Sequence, residues 1–165
     1  MTVYTTTVPA GVPGTVQDPS STVESGVYDQ ATPPLAFGAP VKLKAGLVSA
    51  IEAGDAATDF YGILARTNPD QSGDANFNGF GAGAPDATRT ASTVVGGPGY
   101  ITVACTIGTP VKGGAVYMRV VEALPALVGD LEATADGVNN VLLTNAVWDA
   151  SGKDADNAAR LKVTD

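Results

Sequence analysis

Histidine is absent from this chain of 165 residues, and cysteine occurs once, as Cys105. Histidine is the commonest general base and metal ligand, so its absence excludes the usual Ser-His-Asp and Cys-His catalytic arrangements. A single cysteine also excludes an internal disulfide. Cys105 lies among apolar residues of a predicted strand, whereas a reactive thiol needs an electropositive, partly exposed setting. We therefore interpret Cys105 as a buried structural thiol.

Positive charge is scarce, since nine Lys and Arg stand against 17 Asp and Glu and the formal net charge is −8. Nucleic-acid binding draws most of its affinity from neutralising phosphates, and the chain has no basic patch for that purpose. The longest basic grouping is Lys42 and Lys44. Anionic membrane surfaces are disfavoured for the same reason. We expect neither a nucleic-acid nor a membrane partner.

Long apolar runs are also missing, and none approaches the roughly 20 residues that span a bilayer. The N-terminal sequence MTVYT has neither the basic region nor the apolar region of a signal peptide. The expectation is a soluble protein that is made in a cytoplasm.

The chain lacks the dense charged and Leu-rich spacing of long helices, because only 16% of its residues are charged. Short β-branched runs separated by some of the 20 Gly and 11 Pro are typical of strands and turns. This pattern predicts an all-β fold, a compact β-sandwich or barrel (a jelly roll is one form) of about eight short strands. The strands that we could place cover residues 37–43, 47–51, 59–65, 100–107, 116–121, 138–147 and 160–163.

Two segments differ from this pattern. Residues 1–33 are predicted to be an extended N-terminal arm, because their prolines and scattered valines cannot form a core of their own. Residues 34–165 are predicted to form the β-rich core domain, with a long Gly/Asn loop at 67–89, and loops of that length are usually functional or disordered. The apolar residues expected to contact a partner are Val8, Val12, Val16, Val23, Val27 and Tyr28 in the arm, and Phe77 and Phe80 in the loop.

Motifs that would carry chemistry are incomplete. The sequence DANFNG at 74–79 begins like a calcium loop, but Pro85 occupies the position of the bidentate Glu. An enzyme of this composition would have to use residues such as Asp59, Tyr61 and Arg66, and no spacing in the chain requires that. We expect no catalytic residues, no cofactor and no metal.

Four segments resemble those of one known family: PPLAFGAPV at 33–41, DFYGILAR at 59–66, GYITV at 99–103 with PVKGGAVYM at 110–118, and NAVW at 145–148 with ARLKV at 159–163. They follow an arm that contains PAGVPG at 9–14. In this order they are similar to the structural cement, or decoration, proteins of tailed phages. The long loop at 67–89 has no match in that pattern.

This resemblance implies a virion structural protein that binds the outer surface of a capsid, bridges neighbouring major capsid proteins and stabilises the particle. Its partners would be the major capsid protein and further copies of itself, as a dimer or a trimer. Two alternatives stay open: another virion module of the tail or baseplate, and a histidine-independent β-barrel enzyme.

Overall fold

A computed structural model describes residues 11–66 and 84–164, which form ten β-strands and one short 3₁₀ turn, Ala57–Asp59. The all-β prediction is confirmed. The strands are β1 Thr22–Val27, β2 Pro40–Lys44, β3 Leu47–Ala50, β4 Gly62–Ala65, β5 Thr90–Gly96, β6 Gly99–Ile107, β7 Ala115–Arg119, β8 Leu131–Glu132, β9 Asn140–Trp148 and β10 Ala158–Val163.

These strands form two units. Residues 22–96 contribute a five-stranded antiparallel sheet in the order β1-β5-β4-β2-β3. Residues 99–163 close into a five-stranded barrel in the order β10-β6-β8-β7-β9, in which β6 and β8 are parallel and the other pairs are antiparallel. The barrel form of the prediction therefore holds for residues 99–163.

Strand β6 shows how the sequence pattern produces the barrel. Successive side chains of a strand point to opposite faces, and Ile101, Val103 and Cys105 all point into the interior and are fully buried. Thr102 is fully buried as well, although it lies on the other face. Its burial requires a cover on the outer face of β6, which residues of the arm segment supply, as described below.

One hydrophobic core joins the barrel to one face of the sheet. Ile63 of β4 and Val94 of β5 belong to the same buried cluster as Ile101, Leu143 and Trp148 of the barrel. The opposite face of the sheet has its own smaller cluster, composed of Tyr28, Phe37, Val41, Val48, Leu64 and Ala91. Because β4 contributes to both clusters, it is buried on both faces and anchors the sheet.

The turn between β2 and β3 is a two-residue loop, Ala45-Gly46, and both residues have positive φ, 52° and 82°. Two positive φ values are the signature of the type I′ turn, whose twist matches that of the two flanking strands. Gly46 adopts this conformation without strain, whereas Ala45 carries a Cβ in the left-handed region.

Candidate interaction surface

No group of three or more His, Cys, Asp or Glu residues is placed to hold a metal ion in residues 11–66 and 84–164. None of the helical structure in those ranges is long and apolar enough to cross a membrane. The Cys105 thiol is buried, and desolvation raises its pKa, which agrees with a structural thiol.

The three residues considered for catalysis contact three different partners. Asp59 Oδ2 accepts a hydrogen bond from the backbone N–H of Ala56 at 2.8 Å, within the 3₁₀ turn. The Tyr61 hydroxyl donates to the Glu24 carboxylate, and this bond together with burial raises the pKa of Tyr61 to about 12. The Arg66 guanidinium lies over the Phe37 ring, 4.5 Å from its centroid. Each side chain thus has a local structural role.

The basic pair noted in the sequence is neutralised within the chain. Lys42 is 9% exposed, and its Nζ lies 2.8 Å from Glu52 Oε2 and 2.7 Å from Asp55 Oδ2. Lys44 Nζ lies 3.3 Å from the same Glu52 oxygen. Burial lowers the pKa of Lys42, but the hydrogen bonds and charges of the two carboxylates outweigh it, so that the net change is upward. This end of the sheet therefore offers no basic patch.

A buried ionic cluster lies in one part of the barrel. Arg119 and Glu132 are 1% and 0% exposed, and Arg119 Nη2 lies 2.7 Å from Glu132 Oε1. Asn140 Nδ2 donates to the second Glu132 oxygen at 2.6 Å, and Arg119 Nη1 donates to Asp136 at 2.6 Å. Buried charges are tolerated when they are paired and hydrogen-bonded in this way.

Part of the predicted arm pairs with the barrel. The Gly14 N–H donates to the Thr102 carbonyl at 2.8 Å, the Thr102 N–H donates to Thr15, and the Gln17 N–H donates to Tyr100. Val16 forms an antiparallel bridge with Ile101 and packs against the main core. We call residues 14–17 the strap. It pairs with the portion of β6 that precedes the β6–β8 pairing at Cys105. The Gln17 side chain of the strap donates to the Thr102 hydroxyl at 2.7 Å, which accounts for the burial of Thr102 on the outer face.

Gly14 is the point where the strap meets both units. Its carbonyl accepts a hydrogen bond from the N–H of Arg66 at 2.7 Å, just after β4, while its N–H bonds to β6. Its φ is +87°, and a Cβ there would lie 2.6 Å from the Phe37 Cβ. The close approach of the three segments therefore requires glycine at this position.

Strand β1, which also falls inside the predicted arm, is an edge strand of the sheet and is exposed over most of its length. Val23 is 45% exposed and Val27 is 62% exposed, and both lie on the same side of the strand because they are four residues apart. Isolated exposed valines are ordinary, but two on one face of an edge strand make a small apolar stripe.

The other predicted contact residues have varied positions. Val12 and Val16 are partly buried, and Tyr28 is 1% exposed within the smaller core. Desolvation and the charge of Asp86 raise the pKa of Tyr28 to about 12. Tyr28 is therefore not presented at the surface of the single chain. Val8, Phe77 and Phe80 lie outside the described residues, as do residues 67–83 of the predicted loop.

Sequence reasoning missed a second group of exposed apolar residues beside the barrel. They lie in the connection between β7 and β8 and just before β9, where the Val121 N–H donates to the carbonyl of Asn139. The exposed fractions are 42% for Val121, 80% for Leu124, 51% for Leu127 and 87% for Val138. Nothing in their spacing distinguishes them from core residues, because loop valines and leucines have no periodicity to indicate a face.

A polar cleft lies where the strap meets the barrel. It has a volume of about 220 Å³ and is lined by Gln17, Asp18, Tyr100, Lys112, Asp149 and Arg160. Arg160 Nη2 lies 2.6 Å from Asp149 Oδ2, and Lys112 Nζ lies 3.4 Å from Asp149 Oδ1. The cleft is open to solvent, and the Asp149 carboxylate already pairs with both of its cationic groups, Arg160 and Lys112.

Comparisons with known proteins agree with this architecture. Residues 1–164 match the family described as structural cement protein (E217 gp24/Pam3 gp6). No curated protein matches the chain. A solved structure entitled "The capsid of Myoviridae Phage XM1" contains a chain that is similar in fold, with a TM-score of 0.64 and 18% sequence identity, over 92% of this chain and 89% of that chain.

Proposed function

The chain belongs to the family of phage structural cement proteins, and from this premise we propose how it acts on the particle. Membership makes it a capsid-stabilising structural protein that associates with capsid proteins and is located in the virion. We propose that it binds the outer surface of the capsid and bridges neighbouring major capsid proteins.

The observation that carries this proposal is the extended course of residues 11–33. The strap pairs with the barrel, and β1 then runs along the edge of the sheet with Val23 and Val27 exposed. Residues 11–33 are thus bonded to the barrel at the strap and to the sheet at β1, and Val23 and Val27 are exposed on β1. These two valines can serve as apolar contact residues, or anchors, on a segment that the fold holds in place. Such anchors are what a clamp between subunits needs, because many modest contacts around a lattice become collectively strong.

The sequence-based contact residues enter the proposal with different roles. Val23 and Val27 are the surface anchors that support it. Val8, Val12, Phe77 and Phe80 stay predictions. Val16 and Tyr28 serve in this chain to hold the arm segment against the two cores.

Self-association is a further part of the proposal. Val121, Leu124, Leu127 and Val138 are exposed in the β7–β8 connection and just before β9, and we place a contact between copies, as a dimer or a trimer, on these residues. Interfaces between identical chains are more apolar than the rest of the protein surface. Sedimentation equilibrium of the wild type and of the variant L124E tests this contact.

The function is tested by adding the purified protein to its own capsids from which the protein is absent. We expect saturable co-sedimentation and a higher temperature of particle disruption when the protein is bound. Absence of binding would contradict the cement role on this particle and direct attention to the tail or baseplate.

The anchors are tested by the double variant V23E/V27E. Because both side chains are exposed, the isolated protein should keep its melting temperature, while charge at the contact should weaken capsid binding by at least about tenfold, the equivalent of about 1.4 kcal/mol. The matched control is V111E, since Val111 is 64% exposed, close to the 62% of Val27, but lies outside the arm. Equal binding by the two variants would refute the anchor role.

A further inference from the structure

Strand β1 has an unpaired outer edge. Its inner side pairs with β5 from Thr22 to Val27. On the outer side, the N–H of Asp29 donates to the Val48 carbonyl at 2.8 Å, and Tyr28 forms a parallel bridge with Val48. Backbone groups alternate in direction along a strand, so those of Val23 and Ser25 point to the same outer side as those of Asp29.

The edge is open because β3 is short. The segment at Tyr28 and β3 run parallel, with Tyr28 beside Val48. Because β3 begins at Leu47, it borders residues 27–29 but does not extend back to residues 23–25. No described residue donates a backbone hydrogen bond to the outer side of Val23 or Ser25, or accepts one from it.

The outer side of β3 and the start of β6 are covered by other described segments. The outer side of β3 is occupied by residues 28–32, since the Ala50 N–H donates to the Thr32 carbonyl at 2.9 Å. The barrel is closed, and the strap covers the start of β6. Of the features that proteins use to block edge pairing, β1 (TVESGV) has no Lys, Arg or Pro, but it does have one charged residue, Glu24, and a register shift between Thr22 and Val23.

We propose that the outer edge of β1 accepts an extended segment of the major capsid protein as an added strand. This inference rests on the proposed function and specifies one contact of it. Backbone hydrogen bonds from Val23 and Ser25 supply the pairing, and the exposed side chains of β1 supply the selectivity.

A second copy of β1 fits this edge poorly. Antiparallel self-pairing centred on Ser25 would set Val23 of one copy opposite Val27 of the other. The outer edge at Val27 is already next to β3, where Tyr28 bridges to Val48, so it leaves no room for a second strand. Self-pairing centred on Glu24 would set two carboxylates opposite each other, which is destabilising. The open stretch is also only about 10 Å long at roughly 3.3 Å per residue, far too short to bury the 1,200 Å² or so of a stable dimer.

The chemistry of β1 indicates the pattern of the partner segment. Its face with Val23 and Val27 favours β-branched or aromatic residues at alternate positions of the added strand. Its opposite face carries Glu24, so polar or basic residues fit between them. A capsid segment of three to five residues with this alternation would match the edge.

The test uses S25P, with S25T as its matched control. Proline at residue 25 removes an outward N–H and leaves the β1–β5 pairing intact, as prolines at sheet edges do. We expect S25P to bind capsids lacking the protein at least about tenfold more weakly than the wild type does, and S25T to bind like the wild type.

Hydrogen exchange of the wild-type protein gives a reading that needs no variant. The Ser25 amide should exchange freely in the isolated protein and become protected on the capsid. If the Ser25 amide exchanged equally fast in the isolated and the capsid-bound protein, and S25P bound capsids as tightly as the wild type, the added strand would be refuted. The cement function would not be affected by that result. Failure of the wild type to bind would overturn both. A change of oligomeric state in S25P without loss of capsid binding would assign the edge to a second copy and overturn the proposed occupant.

Discussion

At the scale of single residues, the described fold depends on a few positions where three segments meet. Gly14 is the clearest of them, because its two backbone groups bond to the barrel and to the end of β4, and the Phe37 side chain closes the space around its Cα. Position 14 is one of several glycines between prolines in the sequence, and nothing there distinguishes it from an ordinary flexible terminus.

We predict that G14A destabilises the protein more than G113A does. Both glycines have positive φ, +87° and +76°, so the left-handed backbone costs each alanine a similar 1–2 kcal/mol or so. A methyl group added at Gly113 would meet nothing within 4 Å, whereas the methyl at residue 14 would meet Phe37 at 2.6 Å. Overpacking should add about 1–3 kcal/mol to the loss of unfolding free energy, measured by urea denaturation. Equal losses would show that the strap is not tightly docked.

At the scale of elements, the turn between β2 and β3 carries a residue that fits it imperfectly. We predict that A45N stabilises the protein by roughly 0.5–1 kcal/mol, because Asn-Gly is the preferred pair for a type I′ turn and Ala45 has a φ of 52°. The variant A45V should be destabilised, since a β-branched residue fits positive φ least well. Thermal unfolding of the three proteins measures both changes, and a lower melting temperature for A45N would contradict the assignment.

The elements that could be predicted are those with a clear apolar alternation or a Gly/Pro boundary. Strands β2, β3, β4, β6, β7, β9 and β10 all overlap segments placed from the sequence. Strand β8 has two residues, too few for any period. Strands β1 and β5 are rich in Thr, Ser and Gly, so neither shows a clear apolar alternation. They form by pairing with each other, and a local sequence pattern cannot predict a contact between residues 22–27 and residues 90–96.

The candidate surface was predictable only in part for the same reason. Scattered valines between prolines predicted an arm segment that binds a surface. Val23 and Val27 are exposed, and their binding to a surface stays a prediction. Their neighbour Tyr28 is buried, because it lies on the opposite face of the strand and packs in the smaller core. The boundary of the arm at residue 33 stays a prediction.

At the scale of the whole molecule, an acidic protein with paired carboxylates should lose stability in acid. A hydrogen bond from Arg119 lowers the pKa of Asp136, one from Lys42 lowers that of Glu52, and the backbone N–H of Ala31 lowers that of Asp29. A carboxylate whose pKa is lowered by folding stabilises the protein above the unfolded pKa of about 4, and this contribution is lost as the pH falls through the lower folded value.

We therefore predict a melting temperature that falls progressively below about pH 4. Differential scanning calorimetry between pH 2 and pH 7 measures this dependence. The variant D136N should show a shallower decline, because it removes one of the titrating groups. A melting temperature that stays constant down to pH 2 would contradict the coupling of these carboxylates to the fold.

The strap also determines how the molecule bears mechanical load. Hydrogen bonds between antiparallel strands run perpendicular to the strand direction, so tension applied along residues 14–17 strains the bonds to Thr102 and Tyr100 in shear, all at once. Tension applied across the strap would open the same bonds one after another. If the N-terminal segment is anchored on a particle whose shell is under outward pressure, a pull directed along the strap is resisted by the barrel as a whole.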